Sequence, residues 1–248
     1  MKKLLSIVIC ASAVAAYGTD PDPVTLGTVG VTKVANCTTT NTIIAVSFAD
    51  LAGGDITASN IVKTTNLTYG DTLKVYDAAN GNFKVFTLDG EEPPHFWRET
   101  LTQNLGGGET SENPGTTTLG AGVGLWLVRG GAWDGSPFDI YLYGAVTASY
   151  PQSGSAESIA ADTAKLFGNP LQSDAMPVIT GQRDGDRIII ATNNVSGTLV
   201  YTWKEANNAW GSGFGAKRKT LSAIPKGTGF WYAPNGSGAA RTLYWAAP

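Results

Sequence analysis

The strongest constraint on the fold of this chain is a motif that occurs twice. LGAGVGLWL at residues 119–127 and IPKGTGFWY at residues 224–232 share the pattern aliphatic-x-x-Gly-x-Gly-apolar-Trp-apolar. Three further pairs of segments recur in the same order: GDTL at 70–73 with GDRI at 185–188, Trp97 with Trp210, and IYLY at 140–143 with TLYW at 242–245. Self-similarity of this kind indicates a repeated structural unit. We interpret residues 41–150 and 151–248 as two copies of one unit.

Each unit has the pattern of antiparallel β-strands. Apolar residues alternate with smaller ones over residues 44–48, and an Asn80-Gly81 pair joins two apolar runs as a hairpin turn. The chain has 31 glycines and 12 prolines among 248 residues, which excludes long helices. We therefore predict an all-β fold made of two duplicated antiparallel units, each sandwich-like or barrel-like. One larger sandwich formed by both units is the alternative.

One short α-helix is expected at the start of the second unit. Ser155 is a suitable N-cap, Glu157 suits the positive end, and Gly168 followed by Asn169-Pro170 would stop the helix. Between these signals, a modest apolar stripe consists of Ile159, Thr163, Leu166 and Phe167. A single turn over residues 59–62 is its expected counterpart in the first unit.

Residues 1–16 have the pattern of a secretory signal peptide. Lys2 and Lys3 precede an apolar run, which ends in small residues at positions 13–16. The run is shorter than the roughly 20 residues that span a bilayer, so we expect no transmembrane segment in the mature chain. The leader predicts a secreted protein, extracellular or on the cell surface, with the periplasm as the alternative.

Residues 17–40 form a polar, extended N-terminal segment with weak strand character. We interpret this segment either as a linker or as a strand that pairs with a neighbouring molecule, giving a homo-oligomer or a filament. Cys37 is the only cysteine left once the leader is removed, so no disulfide forms within one chain. Its thiol is therefore either buried or paired between chains.

The sequence offers few groups for catalysis. His95 is the only histidine, and no Gly-x-Ser-x-Gly elbow is present. None of the carboxylates considered, Glu91, Glu92, Asp134 and Asp139, stands out as an acid and nucleophile pair. We predict no catalytic residue and hence no enzyme activity.

Cofactors and metal ions are not expected either. The glycines at 120–124 precede a strand rather than a helix, so they do not form a nucleotide-binding loop. Asp184 and Asp186 provide too few oxygen ligands for calcium. The formal net charge of −3 and a single basic cluster at 217–219 argue against nucleic acid as a partner.

Aromatic residues are the remaining candidates for ligand binding. The chain has seven tryptophans, and those that recur in both units, Trp97, Trp126, Trp210 and Trp231, are expected in the core. Trp133 lies in a glycine-rich loop at 130–136 that has no counterpart in the second unit. We take Trp133 as the candidate ligand-binding residue, with His95 and Phe96 next, and surface glycans as the candidate ligand.

These observations favour a secreted, non-catalytic extracellular or cell-surface structural protein, which assembles with itself through residues 17–40. A carbohydrate-binding or adhesive module that uses loop aromatics is the first alternative. A glycan-acting hydrolase is the second and least favoured alternative.

Overall fold

The computed structural model describes residues 29–38, 40–49, 56–57, 68–77, 81–89, 96–100, 110–114, 118–131, 133–146, 150–191, 198–213, 219–236 and 238–246. The expected signal peptide at 1–16, the expected turn at 59–62 and His95 lie outside these residues. The strands, in chain order, are Val29–Cys37 (β1), Asn41–Ala45 (β2), Ile56–Thr57 (β3), Thr72–Asp77 (β4), Asn82–Asp89 (β5), Phe96–Thr100 (β6), Thr110–Pro114 (β7), Thr118–Leu119 (β8), Gly124–Val128 (β9), Phe138–Ala145 (β10), Glu157–Ile159 (β11), Lys165–Gly168 (β12), Val178–Thr180 (β13), Arg187–Ala191 (β14), Thr198–Lys204 (β15), Ala209–Ser212 (β16), Lys219–Thr220 (β17), Gly229–Ala233 (β18) and Arg241–Tyr244 (β19). Two 3₁₀ turns are described, at Ser153–Ser155 and Glu205–Asn207.

The described chain is nearly all β, and its strands pair antiparallel, as the sequence predicts. Two six-stranded sheets dominate, with the orders β2-β9-β4-β5-β6-β7 and β12-β18-β14-β15-β16-β17. In both sheets the strand that comes first in the chain lies at an edge, beside the strand that comes last. The remaining strands then follow in chain order, so the two sheets have the same connectivity.

Each large sheet packs against a smaller layer. β1 and β10 form a two-stranded ribbon over the first sheet, and β11, β19 and β13 form a three-stranded sheet over the second. Two separate apolar cores result. The first includes Phe86, Trp97 and Ile140, and the second includes Ile188, Trp210 and Leu243. Burial of apolar side chains between the layers is the main stabilisation of each unit.

The repeated glycine motif lies where the two units meet. In β9 Gly124 is opposite Ala45 of β2, and in β18 Gly229 is opposite Gly168 of β12. A Cβ on Gly124 would lie 2.7 Å from Leu166 Cγ, and a Cβ on Gly229 would lie 2.5 Å from Ile43 Cγ2. Each glycine therefore lets its strand approach the edge strand of the other unit.

Main-chain hydrogen bonds join the units in a reciprocal way. The Ala45 amide donates to the Gly227 carbonyl at 3.0 Å, and the Gly168 amide donates to the Gly122 carbonyl at 2.7 Å. Gly122 and Gly227 have φ values of 97° and 71°, a conformation that favours glycine. The edge strand of each unit is thus bonded to the turn that precedes the Trp-bearing strand of the other unit.

The expected helix over residues 155–168 is wrong. Glu157–Ile159 forms β11 against β19, and Lys165–Gly168 forms β12 against β18. Leu166 and Phe167 are adjacent, and both are buried, one toward each face of the sheet, which a single helical stripe does not allow. Tertiary strand pairing thus overrides the local capping signals. No described helix is long and apolar enough to cross a membrane.

The interpretation of residues 17–40 as a linker or intermolecular strand needs correction over residues 29–37. This stretch forms β1, which pairs with β10 of the same chain from Val29 opposite Ala145 to Cys37 opposite Phe138. Val34 and Cys37 are part of the first core. β1 therefore packs with the first unit.

Candidate functional site

Trp133 makes its described contacts within its own unit. Its Nε1 donates a hydrogen bond to the Ser136 carbonyl at 3.0 Å, and its ring packs edge-on against Phe138 at 5.7 Å. The Arg129 guanidinium lies 5.4 Å from the centre of the same ring. The indole N–H and the ring of Trp133 thus make their contacts with residues of the same unit.

The other two candidate residues are not brought together with Trp133 by any described contact. His95 lies outside the described residues. Phe96 begins β6, at the register position opposite Asp89 of β5.

The four recurring tryptophans divide into two pairs. Trp97 and Trp210 are core residues, with 2% and 6% of their surface exposed. Trp126 and Trp231 are half-buried and lie at the same register position on the outer faces of their sheets. The expectation of a core position is therefore met by the first pair only.

Trp126 and Trp231 contribute to an aromatic cluster that joins the units. The Phe83 ring packs edge-to-face against Trp126 at 5.8 Å and against Trp231 of the other unit at 5.9 Å. Tyr76 contacts Trp231 in the same way, at 5.5 Å. The rings are steeply inclined to each other, so they stabilise one another and do not form a flat platform for a sugar ring.

Each unit contains one buried aspartate directly after a glycine of positive φ. In the first unit this is Asp71, whose Oδ1 accepts hydrogen bonds from the Gly130 amide at 2.6 Å and from Arg129 Nε at 3.2 Å. Its Oδ2 accepts a bond from the Thr68 amide at 2.8 Å. Both side chains of the ion pair are fully buried.

The corresponding aspartate of the second unit is Asp186. Arg241 donates to it through Nε at 3.0 Å and through Nη2 at 2.8 Å, which makes a two-pronged ion pair. Tyr232 Oη donates to Oδ2 at 2.6 Å, and the amides of Arg183 and Asn235 donate to the two oxygens. The carboxylate is thus surrounded by fixed donors.

These partners determine the protonation of the group. Burial tends to raise the pKa of Asp186, but the hydrogen bonds from Arg241, Tyr232 and the two amides outweigh burial and lower it. The pKa of Tyr232 is raised, by burial first and then by its bond to the carboxylate. Both carboxylate oxygens accept hydrogen bonds from fixed donors, so Asp186 holds the 183–186 turn in place.

Cys37 is buried, which was the first of the two outcomes considered for it. Its thiol lies 3.8 Å from the Val34 carbonyl, inside the first core. Burial raises the pKa of the thiol to about 11. The group is therefore protonated at neutral pH and packs as a small apolar side chain.

A cleft of about 450 Å³ opens at the junction of the two units. Its walls are residues 120–123 before β9, Tyr150-Pro151, Ser155, Glu157 of β11, and residues 165–167 of β12. Lys165 Nζ lies 2.5 Å from Glu157 Oε2 and 5.4 Å from the centre of the Phe167 ring. The cleft thus combines apolar walls with one pair of opposite charges.

Sequence reasoning did not identify this cleft. Glu157 and Lys165 lie within the segment interpreted as a helix, where they would be separate surface charges. The strand pairing of β11 and β12 brings them together, and no local sequence signal indicates this contact. The Gly-Asp repeats at 70–71 and 185–186 were visible in the sequence, but their arginine partners were not.

Three or more potential metal-binding side chains do not come together anywhere among the described residues. Comparisons with protein-family models, with curated proteins and with solved structures gave no match to this chain.

Proposed function

We propose that this chain is an exported, non-catalytic structural protein of the extracellular space or cell surface, built from two copies of one β module. The observation that carries the proposal is the reciprocal junction. The Ala45 amide donates to the Gly227 carbonyl and the Gly168 amide donates to the Gly122 carbonyl, so each unit's edge strand is bonded to a turn of the other unit. A chain joined in this way resists separation of its units, as a structural role requires.

Equivalent residues in the two halves support the duplication. The two large sheets share one strand order, and Asp71 and Asp186 precede β4 and β14, which are equivalent strands. The arginines that pair with these aspartates, Arg129 and Arg241, do not lie at equivalent positions. By register, the position of Arg129 after β9 corresponds to Pro234 after β18, whereas Arg241 belongs to β19. The arginine that neutralises the buried aspartate thus comes from a different place in each unit, after β9 in the first and from β19 in the second.

The use of buried charges supports a structural role. The Asp71–Arg129 and Asp186–Arg241 pairs are fully buried, and the hydrogen bonds to both carboxylates come from neighbouring turns and strands. Such pairs impose specific geometry more than they add stability. In a binding module, aromatic side chains on the outer face of a sheet would contact a ligand. In this chain, Tyr76 and Phe83 instead pack against Trp231 across the junction.

Export is tested by disabling the leader. Val8→Glu places a charge in the apolar run of residues 4–16, and we expect it to leave the full chain uncleaved inside the producing cell. Val31→Glu is the matched control, because Val31 is 63% exposed on β1. N-terminal sequencing of exported protein should give a chain that starts near residue 17 for wild type and control. Export of Val8→Glu at the wild-type level would contradict the proposal.

Self-assembly is tested by truncation. β1 belongs to the first core, so the shortened chain must keep residue 29 and lose only residues 17–28. If residues 17–28 carry the assembly contact, the chain from 17 forms oligomers at high concentration and the chain from 29 remains monomeric. Light scattering distinguishes these states. If both chains are monomeric at high concentration, residues 17–28 do not mediate self-assembly, and the export test is unaffected.

A further inference from the structure

The cleft between the units breaks the correspondence between the two halves. At the other side of the junction, the turn at Gly227 is covered by β1, where Thr32 Cγ2 would lie 2.7 Å from a Cβ on Gly227 and Val34 Cγ2 would lie 3.3 Å away. Thr32 and Val34 are 1% and 7% exposed. That side of the junction is therefore filled by packed side chains.

At Gly122, the equivalent turn, the nearest side chain is Pro151, whose Cδ would lie 3.1 Å from a Cβ on Gly122. Ser155 and Glu157, before and within β11, face this turn across the cleft. Lys165 of β12 has the register position that Thr42 has in β2, since Thr42 is opposite Leu127 and Lys165 is opposite Tyr232. The position of the buried, uncharged Thr42 on one side of the junction is thus taken on the other side by Lys165, which pairs with Glu157.

The fold does not require this ion pair. On the other side of the junction, the buried side chains of Thr32, Val34 and Thr42 fill the space without any charge. Apolar replacements of an ion pair are often neutral or stabilising, and a pair that is 22% and 41% exposed adds little stability. The pair therefore lines an accessible cleft of a size that small ligands occupy, without a structural need for charge.

We propose that the cleft binds a neutral saccharide. The Glu157 carboxylate accepts hydrogen bonds and the Lys165 ammonium donates them, and adjacent hydroxyls of a sugar ring offer one donor and one acceptor at matching spacing. The pair has no net charge, so it favours a neutral ligand over an anion or a cation. Tyr150 and Pro151 supply half-buried apolar surface for the carbon face of the ring.

The test uses the full mature chain with a panel of neutral trisaccharides: maltotriose, cellotriose, mannotriose and N,N′,N″-triacetylchitotriose. Saturation-transfer NMR detects binding and calorimetry measures the dissociation constant. We expect at least one of the four to bind wild type. Glu157→Gln and Lys165→Met should each weaken that binding about tenfold, as expected for loss of one charge-assisted hydrogen bond.

The matched control is Asp139→Asn, which removes an ion pair of similar length, Lys33 to Asp139 at 2.6 Å, on the ribbon of β1 and β10. This control should bind as wild type does, and the thermal unfolding midpoint should be unchanged in all three variants. Absence of binding to all four trisaccharides, or equal binding by Glu157→Gln and wild type, would overturn the proposal. Neither result affects the export test of the structural role.

Discussion

Arg241 and Asp186 form a fully buried, two-pronged ion pair, with Nη2 2.8 Å from Oδ1 and Nε 3.0 Å from Oδ2. In the other unit the equivalent aspartate, Asp71, pairs with Arg129, which comes from a different strand end. The two buried aspartates, each directly after a glycine of positive φ, are thus neutralised by arginines placed at different points of the chain. This relationship makes the equivalence of the units testable by substitution.

We expect Arg241→Phe to destabilise the protein by about 3–5 kcal/mol, because Asp186 is then left buried without its counter-charge. Adding Pro234→Arg to that variant places an arginine at the register position that Arg129 has in the first unit. The double variant should regain a measurable part of the loss. Urea unfolding of both variants gives the two free energies of unfolding.

The control for this pair is Arg187→Phe, since Arg187 is exposed on β14 and should tolerate the change within about 0.5 kcal/mol. A double variant that is no more stable than Arg241→Phe would argue against the equivalence of the two arginine positions.

Acid should weaken the second unit through Asp186. The pKa of this carboxyl is lowered in the folded chain because the donated hydrogen bonds outweigh burial. Its contribution to stability is therefore present above the unfolded value of about 3.9 and is lost as the pH falls through the lower folded value. The difference in unfolding free energy between wild type and Asp186→Asn should shrink from pH 6 to pH 2. A difference that stays constant over this range would show that the charge of Asp186 is not what stabilises the turn.

The junction glycines should not tolerate a methyl group. A Cβ on Gly124 would lie 2.5 Å from the Phe167 carbonyl oxygen, and one on Gly229 would lie 2.7 Å from the Ile44 carbonyl oxygen. We expect Gly124→Ala and Gly229→Ala each to cost about 1–3 kcal/mol, as overpacking does. Gly120→Ala is the matched control, because no atom lies within 4 Å of its Cβ position. Equal thermal stability of Gly124→Ala and Gly120→Ala would mean that the strands do not approach as closely as described.

Trp133→Ala should reduce stability. The ring is half-buried against Phe138 and Arg129, so its loss should cost about 1–3 kcal/mol, less than for a fully buried tryptophan. Tyr69→Ala removes an aromatic ring that is 59% exposed and serves as the comparison. Chemical denaturation of Trp133→Ala and Tyr69→Ala gives the unfolding midpoints to be compared with that of wild type. If Trp133→Ala unfolds at the wild-type midpoint, the loop tryptophan does not stabilise its unit.

The sequence correctly predicted the features that depend on a repeated motif or on alternating apolar residues. The shared glycine-tryptophan motif placed Trp126 and Trp231 on equivalent strands, and the two apolar runs on either side of Asn80-Gly81 pair as β4 and β5, as predicted. The sequence misled where local signals conflicted with tertiary pairing. Ser155 and Gly168 have the properties of helix caps, yet β12 is held by β18, more than 60 residues away by register from Gly168 to Gly229.

The site was less predictable than the fold. Glu157 and Lys165 meet only because β11 and β12 join different sheets, and Arg241 reaches Asp186 across 55 residues of sequence. Trp133 was a reasonable ligand candidate from its glycine-rich loop, but neither its bond to the Ser136 carbonyl nor its contact with Phe138 follows from spacing. Contacts of this kind depend on how the layers pack, which a single sequence does not encode as a local pattern.

Amide hydrogen exchange of the full chain, followed by NMR, tests the central claim most directly. The Ala45 and Gly168 amides donate across the junction to Gly227 and Gly122. If the units are joined reciprocally, both amides should exchange as slowly as core amides such as Ile188 and should open together. Exchange of these two amides at the rate of the exposed Gly154 amide would contradict the account, because the units would then be held by side chains alone.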